Sequence, residues 1–391
     1  MLTLSLDKKT IRLPALSTAH SHAFQHAMRG ATQRRPSDPQ DGTSKAPAAR
    51  GQDDFWSWRG QMYRVANALT PESIVDVSRA AFRELARAGV RTVGEFHYVH
   101  HQPDGTPYAD RTILSDAVIH AAKAEGLRIA LLRVAYNRAG AGKPRDGSQA
   151  RFCDDTVDAV LRDVDTLRAK YKDDPTVRIG IAPHSVRAVP PSWLAPIAEH
   201  AARHALPLHM HVAEQSREIA ECMAETGRRP VELLADHGVL SPRFVAVHAT
   251  HLSPEEARLL GAARAFACIC ATTERDLGDG LPDISALRAA GARLCTGIDS
   301  HVITDPIEEL RALETHERLR SLGRVTFHPA QGTLAEQLWR EGSIEGANAC
   351  GFDDAGGELT IPRDHPSIAR VDDTLLHDAI VFSGSAAMIS G

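Results

Sequence analysis

No pair of cysteines in this chain has C-x-x-C spacing, and the six present (Cys153, Cys222, Cys268, Cys270, Cys295 and Cys350) are too scattered for a secreted disulfide scaffold. Free, buried thiols in a reducing compartment are therefore expected. No apolar run reaches the length of a membrane span, and the opening segment MLTLSLDKKTIRLPAL carries Asp7, Lys8, Lys9 and Arg12 where a signal peptide needs an unbroken apolar region. The expectation is a soluble cytoplasmic protein with no membrane partner. Basic charge is not in excess either: a formal net charge of -5 argues against nucleic acid as the main partner and confines any anion site to a local pocket. Neither G-x-G-x-x-G nor a P-loop occurs, and no internal repeat is visible.

What is present is an alternation. Of 391 residues, 43% are hydrophobic and 24% charged, an ordinary globular balance that allows one large domain with appendages. The segment TPESIVDVSRAAFRELARAG predicts a helix with Thr70 as N-cap and Pro71 at its first position, an apolar face of Ile74, Val77, Ala81 and Leu85, and Gly89 as the stop. Strands are predicted at VRTVGEFHYV, RIALLRVAY, VRIGIAPHSV, LPLHMHVAE, FVAVHATHL, RAFACICATT and RLCTGIDSH, most separated by helices such as SWLAPIAEHAARHA and SPEEARLLGAA. With the opening LSTAHSH they make eight, which predicts an α/β fold, a (β/α)8 TIM-like barrel over residues 16–355. A small, reduced β-subdomain is expected from residues 1–15 plus 356–391, with short strands in the tail pairing to residues 3–13. Two polar, Gly- and Pro-rich stretches, ATQRRPSDPQDGTSKAPAARGQDD and NRAGAGKPRDGSQARF, are expected to be long mobile loops.

His20 and His22 are two apart on the first predicted strand, so period-2 geometry aims both rings the same way. Barrel enzymes gather their chemistry at the C-terminal ends of strands. There the chain places His211 and Glu214 after the fifth strand, His248 and His251 after the sixth, and Asp299 after the eighth. Each has a bland reading: His209 or His211 as a core histidine, His251 as a cap of the next helix, Asp299 as an N-cap or loop anchor. Together His20, His22, His211 and Asp299 supply three nitrogens and one carboxylate, a set suited to a catalytic divalent metal with a position open for water. Cys268 and Cys270 share a strand face and read as core packing. The remaining histidines, His26, His97, His100, His101, His204, His237 and His301, read as structural or surface residues.

At these residues the chain resembles the amidohydrolase superfamily: H-x-H on strand one, a His on strand five followed three residues later by Glu, a His on strand six and an Asp on strand eight. Within it, HSHAFQHAMRG, DDFWSWRGQMYR, GEFHYVHHQPDG, GIAPHSVRAV, HVAEQ, RRPVELL, VHATHLS, TTERDLGDG and DSHVITDPIEELRALE resemble, in order, segments of the formimidoylglutamate deiminases. The resemblance implies one zinc on His20, His22, His211 and Asp299. It also implies Asp299 as base, His248 beside the nucleophile, Glu214 as proton shuttle, and a small dicarboxylate substrate held by Gln25, Arg59, Tyr98, His184 and Arg187. The implied reaction is hydrolysis of N-formimino-L-glutamate to N-formyl-L-glutamate and ammonia, in an enzyme that could be a homodimer. Two departures from the family are a longer loop before Phe55 and shorter terminal segments.

Other readings are a deaminase of another imino or guanidino acid, a deaminase of a cyclic base, and a barrel kept only for binding. A cyclic base would favour aromatic stacking over two arginines, and aromatic residues are only 5% of the chain. A dead barrel would be expected to have lost a metal ligand, and none is lost.

Overall fold

The computed structural model of the chain describes residues 5–6, 9–33 and 54–389. The first of the two expected loops falls largely on residues 34–53, outside the described residues. Eight parallel strands form one sheet in chain order: β1 (Leu16–Ser21), β2 (Val90–His97), β3 (Arg128–Ala135), β4 (Val177–Pro183), β5 (Leu208–Val212), β6 (Phe244–His248), β7 (Phe266–Ile269) and β8 (Arg293–Thr296). Nearly every strand position is buried, as a sheet covered on both faces by crossover helices requires. The ring closes where Ser21 bridges Asp299 in parallel, with the Asp299 and Ile298 amides both donating to the His20 carbonyl at 3.1 Å. This is the barrel that the alternation of apolar runs and helices predicts.

The helix after Thr70 spans Pro71–Arg87, and the Thr70 hydroxyl accepts from the Ser73 amide, completing a capping box. Ile74, Ala81 and Leu85 are buried on its inner face, with Phe82 beside them. Below the barrel, residues 341–354 pack across the N-terminal strand ends. There Arg293 pairs with Glu345, the Arg178 guanidinium donates to the Gly351 carbonyl, and His209 meets the Ala349 carbonyl at 2.9 Å. Outside the barrel, Thr10–Pro14 pairs antiparallel with both Ser5–Leu6 and Glu358–Pro362.

Three expectations need correction. Strands five to eight stop earlier than their apolar runs suggest, and the end of RAFACICATT is helical, Ala271–Leu277, because the Glu274 side chain takes the Cys270 amide and turns the chain. The second loop is built rather than loose. Arg138–Gly140 pairs with Lys143–Pro144, Gly147–Phe152 is a 3-10 turn capped by Asp146, and the buried Arg151 guanidinium donates to the carbonyls of Ala66, Leu69 and His101. Among the described residues the tail contributes one strand, Glu358–Pro362, not several. It goes on to a helix, Leu376–Ser383, whose Leu376, Ile380 and Val381 recur at helical spacing and are buried. All six cysteines are buried and unpaired, and among the described residues no helix is long and apolar enough to cross a membrane.

Behind β3 lies an ion network that fixes the outer layer to the barrel. Arg133, 1% exposed, donates to both Asp154 oxygens at 2.9 Å and to Asp163 at 2.7 Å, and Arg111 also bonds both acids. Burial pushes the Asp154 carboxyl up, but the charge and hydrogen bonds of Arg133 together with those of His101 outweigh it and hold the group at about 2. A depressed acid of this kind stabilises the fold above its unfolded value near 4 and loses that contribution as pH falls toward 2. Asp154→Asn is expected to cost about 3–5 kcal/mol at pH 7, because it leaves a buried guanidinium short of its charge partner. Urea unfolding of both proteins measures the gap, which should narrow between pH 4 and pH 2.

Candidate active site

The C-terminal strand ends carry backbone that non-glycine residues seldom adopt. Ala213 after β5, His248 and Ala249 at the end of β6, and Asp299 and His301 after β8 all have positive φ, between 52° and 71°. Each left-handed residue costs roughly 1–2 kcal/mol, which the surrounding barrel must offset. The sharp turns aim His248 and Asp299 inward.

At the centre, His20 Nε2 lies 3.2 Å from His22 Nε2 and 3.1 Å from His211 Nε2, and Asp299 Oδ1 stands 3.5 and 3.3 Å from His20 and His22. The outer nitrogens fix the tautomers: His22 Nδ1–H donates to the Phe96 carbonyl at 2.9 Å, and His211 Nδ1–H to the His184 carbonyl at 3.1 Å. Their Nε2 atoms are therefore bare lone pairs. Burial drives His20 down to about 3 and lowers His22 and His211 as well, so all three rings are neutral. Converging lone pairs at this spacing repel unless a cation shares them, and the donors of a tetrahedral ion bound at 2.0–2.1 Å would lie about 3.3 Å apart. Burial would push Asp299 up, but its hydrogen bond with His20 and the charge of nearby His248 help hold it well below the usual carboxylate range. The four residues fit one divalent metal.

His248 stands beside this group, its Nε2 3.7 Å from both Glu214 Oε1 and Asp299 Oδ2, while its Nδ1–H points to Glu274 at 3.3 Å. Burial opposes its charge, but Glu214, Glu274 and Asp299 together raise it to about 10, so the ring is a cation. Burial raises Glu214 above the ordinary carboxyl value.

The pocket opens away from the metal group. Gln25 Nε2 donates to the Tyr98 hydroxyl at 3.0 Å, leaving its buried Oε1 unpartnered. The His184 ring is 4.8 Å from that of His211, centroid to centroid. Farther out, Arg59 is half-buried and Arg187 is 5% exposed, both stacked near Trp56 at 5.1 and 5.3 Å. Neither has an ion-pair partner among the described residues, and Arg187 Nε and Nη1 are buried without hydrogen bonds. All five candidate substrate contacts line one pocket with His22, His211, Glu214, His248 and Asp299.

Some bland alternatives also take their places. His209 bonds the Ala349 carbonyl lower in the barrel. His251 caps nothing, because Ser253 is the N-cap of the helix Pro254–Ala262. Asp305, not Asp299, caps Pro306–Ser321. His100 and His101 are buried away from the metal group, where His100 meets the Val134 carbonyl and His101 meets Asp154.

Sequence reasoning missed four residues around the site. Glu95 accepts from the Ser21 hydroxyl and the Ala23 amide, clamping the H-x-H segment, and burial raises it to about 8. His301 meets the same Ser21 hydroxyl at 2.9 Å. Glu274 holds His248. Asp279 takes a hydrogen bond from Gln215, next to Glu214, and groups with Glu214 and His248. An acid inside an apolar strand, as in VGEFH, was the available signal for Glu95.

The chain is similar to known proteins over most of its length. Residues 11–363 match the model of the amidohydrolase family. The chain is 38% identical over 341 residues to a formimidoylglutamate deiminase of Pseudomonas aeruginosa, covering 87% of this chain and 72% of that protein. It is 30% identical over 327 residues to an 8-oxoguanine deaminase of the same organism, covering 82% and 67%. A crystal structure of an amidohydrolase from Brucella melitensis superposes with a TM-score of 0.83 at 31% identity, covering 97% of this chain and 84% of that one. The chain belongs to the amidohydrolase family of hydrolases.

Proposed function

We propose that this enzyme hydrolyses N-formimino-L-glutamate to N-formyl-L-glutamate and ammonia, with one zinc ion held by His20, His22, His211 and Asp299. The observation that carries the substrate is the pair Arg59 and Arg187: two guanidiniums with no acid partner among the described residues, one of them buried, in the pocket that ends at the metal group. Cations placed so are neutralised by the ligand, and a diacid supplies two carboxylates. Three neutral imidazoles and one carboxylate suit zinc.

When bound, the ion lowers the pKa of a water toward neutrality and so makes hydroxide available at pH 7. Asp299, ionised and beside the ligand nitrogens, takes the water's proton as the oxygen adds to the formimino carbon and the C=N double bond becomes single. Glu214 carries that proton from Asp299 to the terminal nitrogen. The His248 cation, held by Glu274 and lying between Glu214 and Asp299, stabilises the charge that develops on the oxygen. A second transfer carries the hydroxyl proton to the same nitrogen; the C–N bond breaks, the carbonyl forms and ammonia leaves. Both protons of the water thus end on the departing nitrogen.

The rival reading, deamination of a cyclic base, has one observation in its favour: Phe55, Trp58, Tyr63, Tyr98 and Tyr136 give this pocket far more aromatic surface than the composition suggests. Two unpaired cations weigh against a neutral ring. Ammonia release from N-formimino-L-glutamate, its aspartate and glutamine analogues and 8-oxoguanine separates the two, with the first substrate expected to be the best. Arg187→Met should lower kcat/KM on the diacid by about 2–4 kcal/mol, the scale for a buried carboxylate left without its charged partner. Bound metal should not change. Equal activity of both proteins on every diacid would sink the assignment.

A further inference from the structure

Gln149 lies on the segment expected to be loose, yet it is fully buried. Its Oε1 accepts from the Asp146 amide at 3.3 Å, which fixes the orientation of the carboxamide. The Nε2 end then donates to two phenols at once, Tyr63 and Tyr136, each at 2.9 Å. Both phenol oxygens are therefore acceptors toward Gln149, and both O–H protons must go elsewhere. The oxygens stand 3.2 Å apart, so one proton bridges the pair. The other has no acceptor among the described residues.

That spare donor faces the same pocket as the unpartnered Nε and Nη1 of Arg187. Arg59 closes the group, its guanidinium carbon 5.2 Å from the Tyr63 ring centroid. Burial raises the Tyr136 phenol well above its ordinary value, and so keeps its proton in place. Tyr136 is next to His184 at 4.7 Å between ring centroids, and His184 is next to the metal ligand His211, so the phenols stand two rings away from the reacting end. A wall whose unpartnered hydrogens, on the spare phenol and on Arg187 Nε and Nη1, outnumber its free lone pairs suits a group with two acceptor oxygens and no hydrogen to give. An amide, amine or hydroxyl would bring its own hydrogens against it.

We propose that Tyr63 and Tyr136, keyed by Gln149, form with Arg187 a carboxylate-receiving subsite that makes the enzyme prefer a diacid over the matching side-chain amide. The proposal rests on the preceding reading only for the substrate's name, since the subsite itself is read from the hydrogen-bond directions.

The test uses the metal-loaded protein and isothermal titration with N-formyl-L-glutamate and N-formyl-L-glutamine. A single Tyr→Phe change frees the remaining phenol's proton, so the informative variant is Tyr63→Phe with Tyr136→Phe. It should bind the diacid at least about 10-fold more weakly and the amide less than about twofold more weakly, the pattern for losing donors that only a carboxylate uses. Gln149→Glu keeps the shape, turns both phenols inward to donate to the new carboxylate and adds a negative charge. It should weaken diacid binding still further and narrow the preference. Unchanged diacid affinity in both variants, or equal loss for both ligands, overturns the subsite. Turnover of N-formimino-L-glutamate by the wild-type chain is measured separately. No turnover together with a phenol-dependent preference would remove the reaction and leave the subsite standing, and turnover without that preference would do the reverse.

Discussion

His211→Ala is expected to lose bound zinc and turnover together. The ring contributes one of three convergent nitrogens, and its Nδ1–H is committed to the His184 carbonyl, which aims Nε2 at His20. Losing an outer partner of a metal ligand typically costs about 10- to 100-fold, and loss of the ligand itself should exceed that range. His20→Ala, His22→Ala and Asp299→Asn belong to the same class. Metal content by atomic emission, read beside activity, separates this from a simple packing defect: a His211→Ala protein that is folded, fully metallated and active would remove the ligand assignment.

Glu214→Gln is expected to slow turnover at least about a hundredfold while leaving metal content and substrate affinity near wild type, the usual scale for losing a general acid. Glu214 lines the pocket beside His248, 3.7 Å away, and stands apart from the His20–His22–His211 group. Steady-state kinetics should therefore show the loss in kcat. A loss confined to KM would make Glu214 a binding residue instead.

The candidate metal group was legible because three separate strands end in residues of metal-binding type, and a parallel barrel brings those ends together whatever the loops do. The Arg pair was legible through family resemblance alone; on a bare sequence Arg59 reads as one more polar position of an exposed helix. Glu95 and Glu274 escaped because a single charge in a strand or a helix start does not announce that it is buried, and their partners, Ser21 and His248, are remote in sequence or on another element. The strand ends were overrun for a related reason. The left-handed turns at His248 and Asp299 occur at residues that ordinarily avoid them, and only closure of the barrel imposes them. The segment from Asn137 to Phe152 has the composition of a loose loop, but Arg151 and Gln149 each satisfy several distant polar groups, which local composition cannot reveal.

A formimino diacid held in this pocket by its acid end is expected to release ammonia at the metal end. Adding water to the formimino carbon gives a carbon bonded to two nitrogens, and either can leave. Glu214 stands beside His248 and Asp299, whereas Arg59 and Arg187 hold the pocket end away from that proton source. Proton NMR of the wild-type, metal-loaded enzyme with N-formimino-L-glutamate reads the outcome directly. The geometry predicts N-formyl-L-glutamate and ammonia in equal amounts; formamide with free glutamate, or an unchanged substrate spectrum, would contradict it.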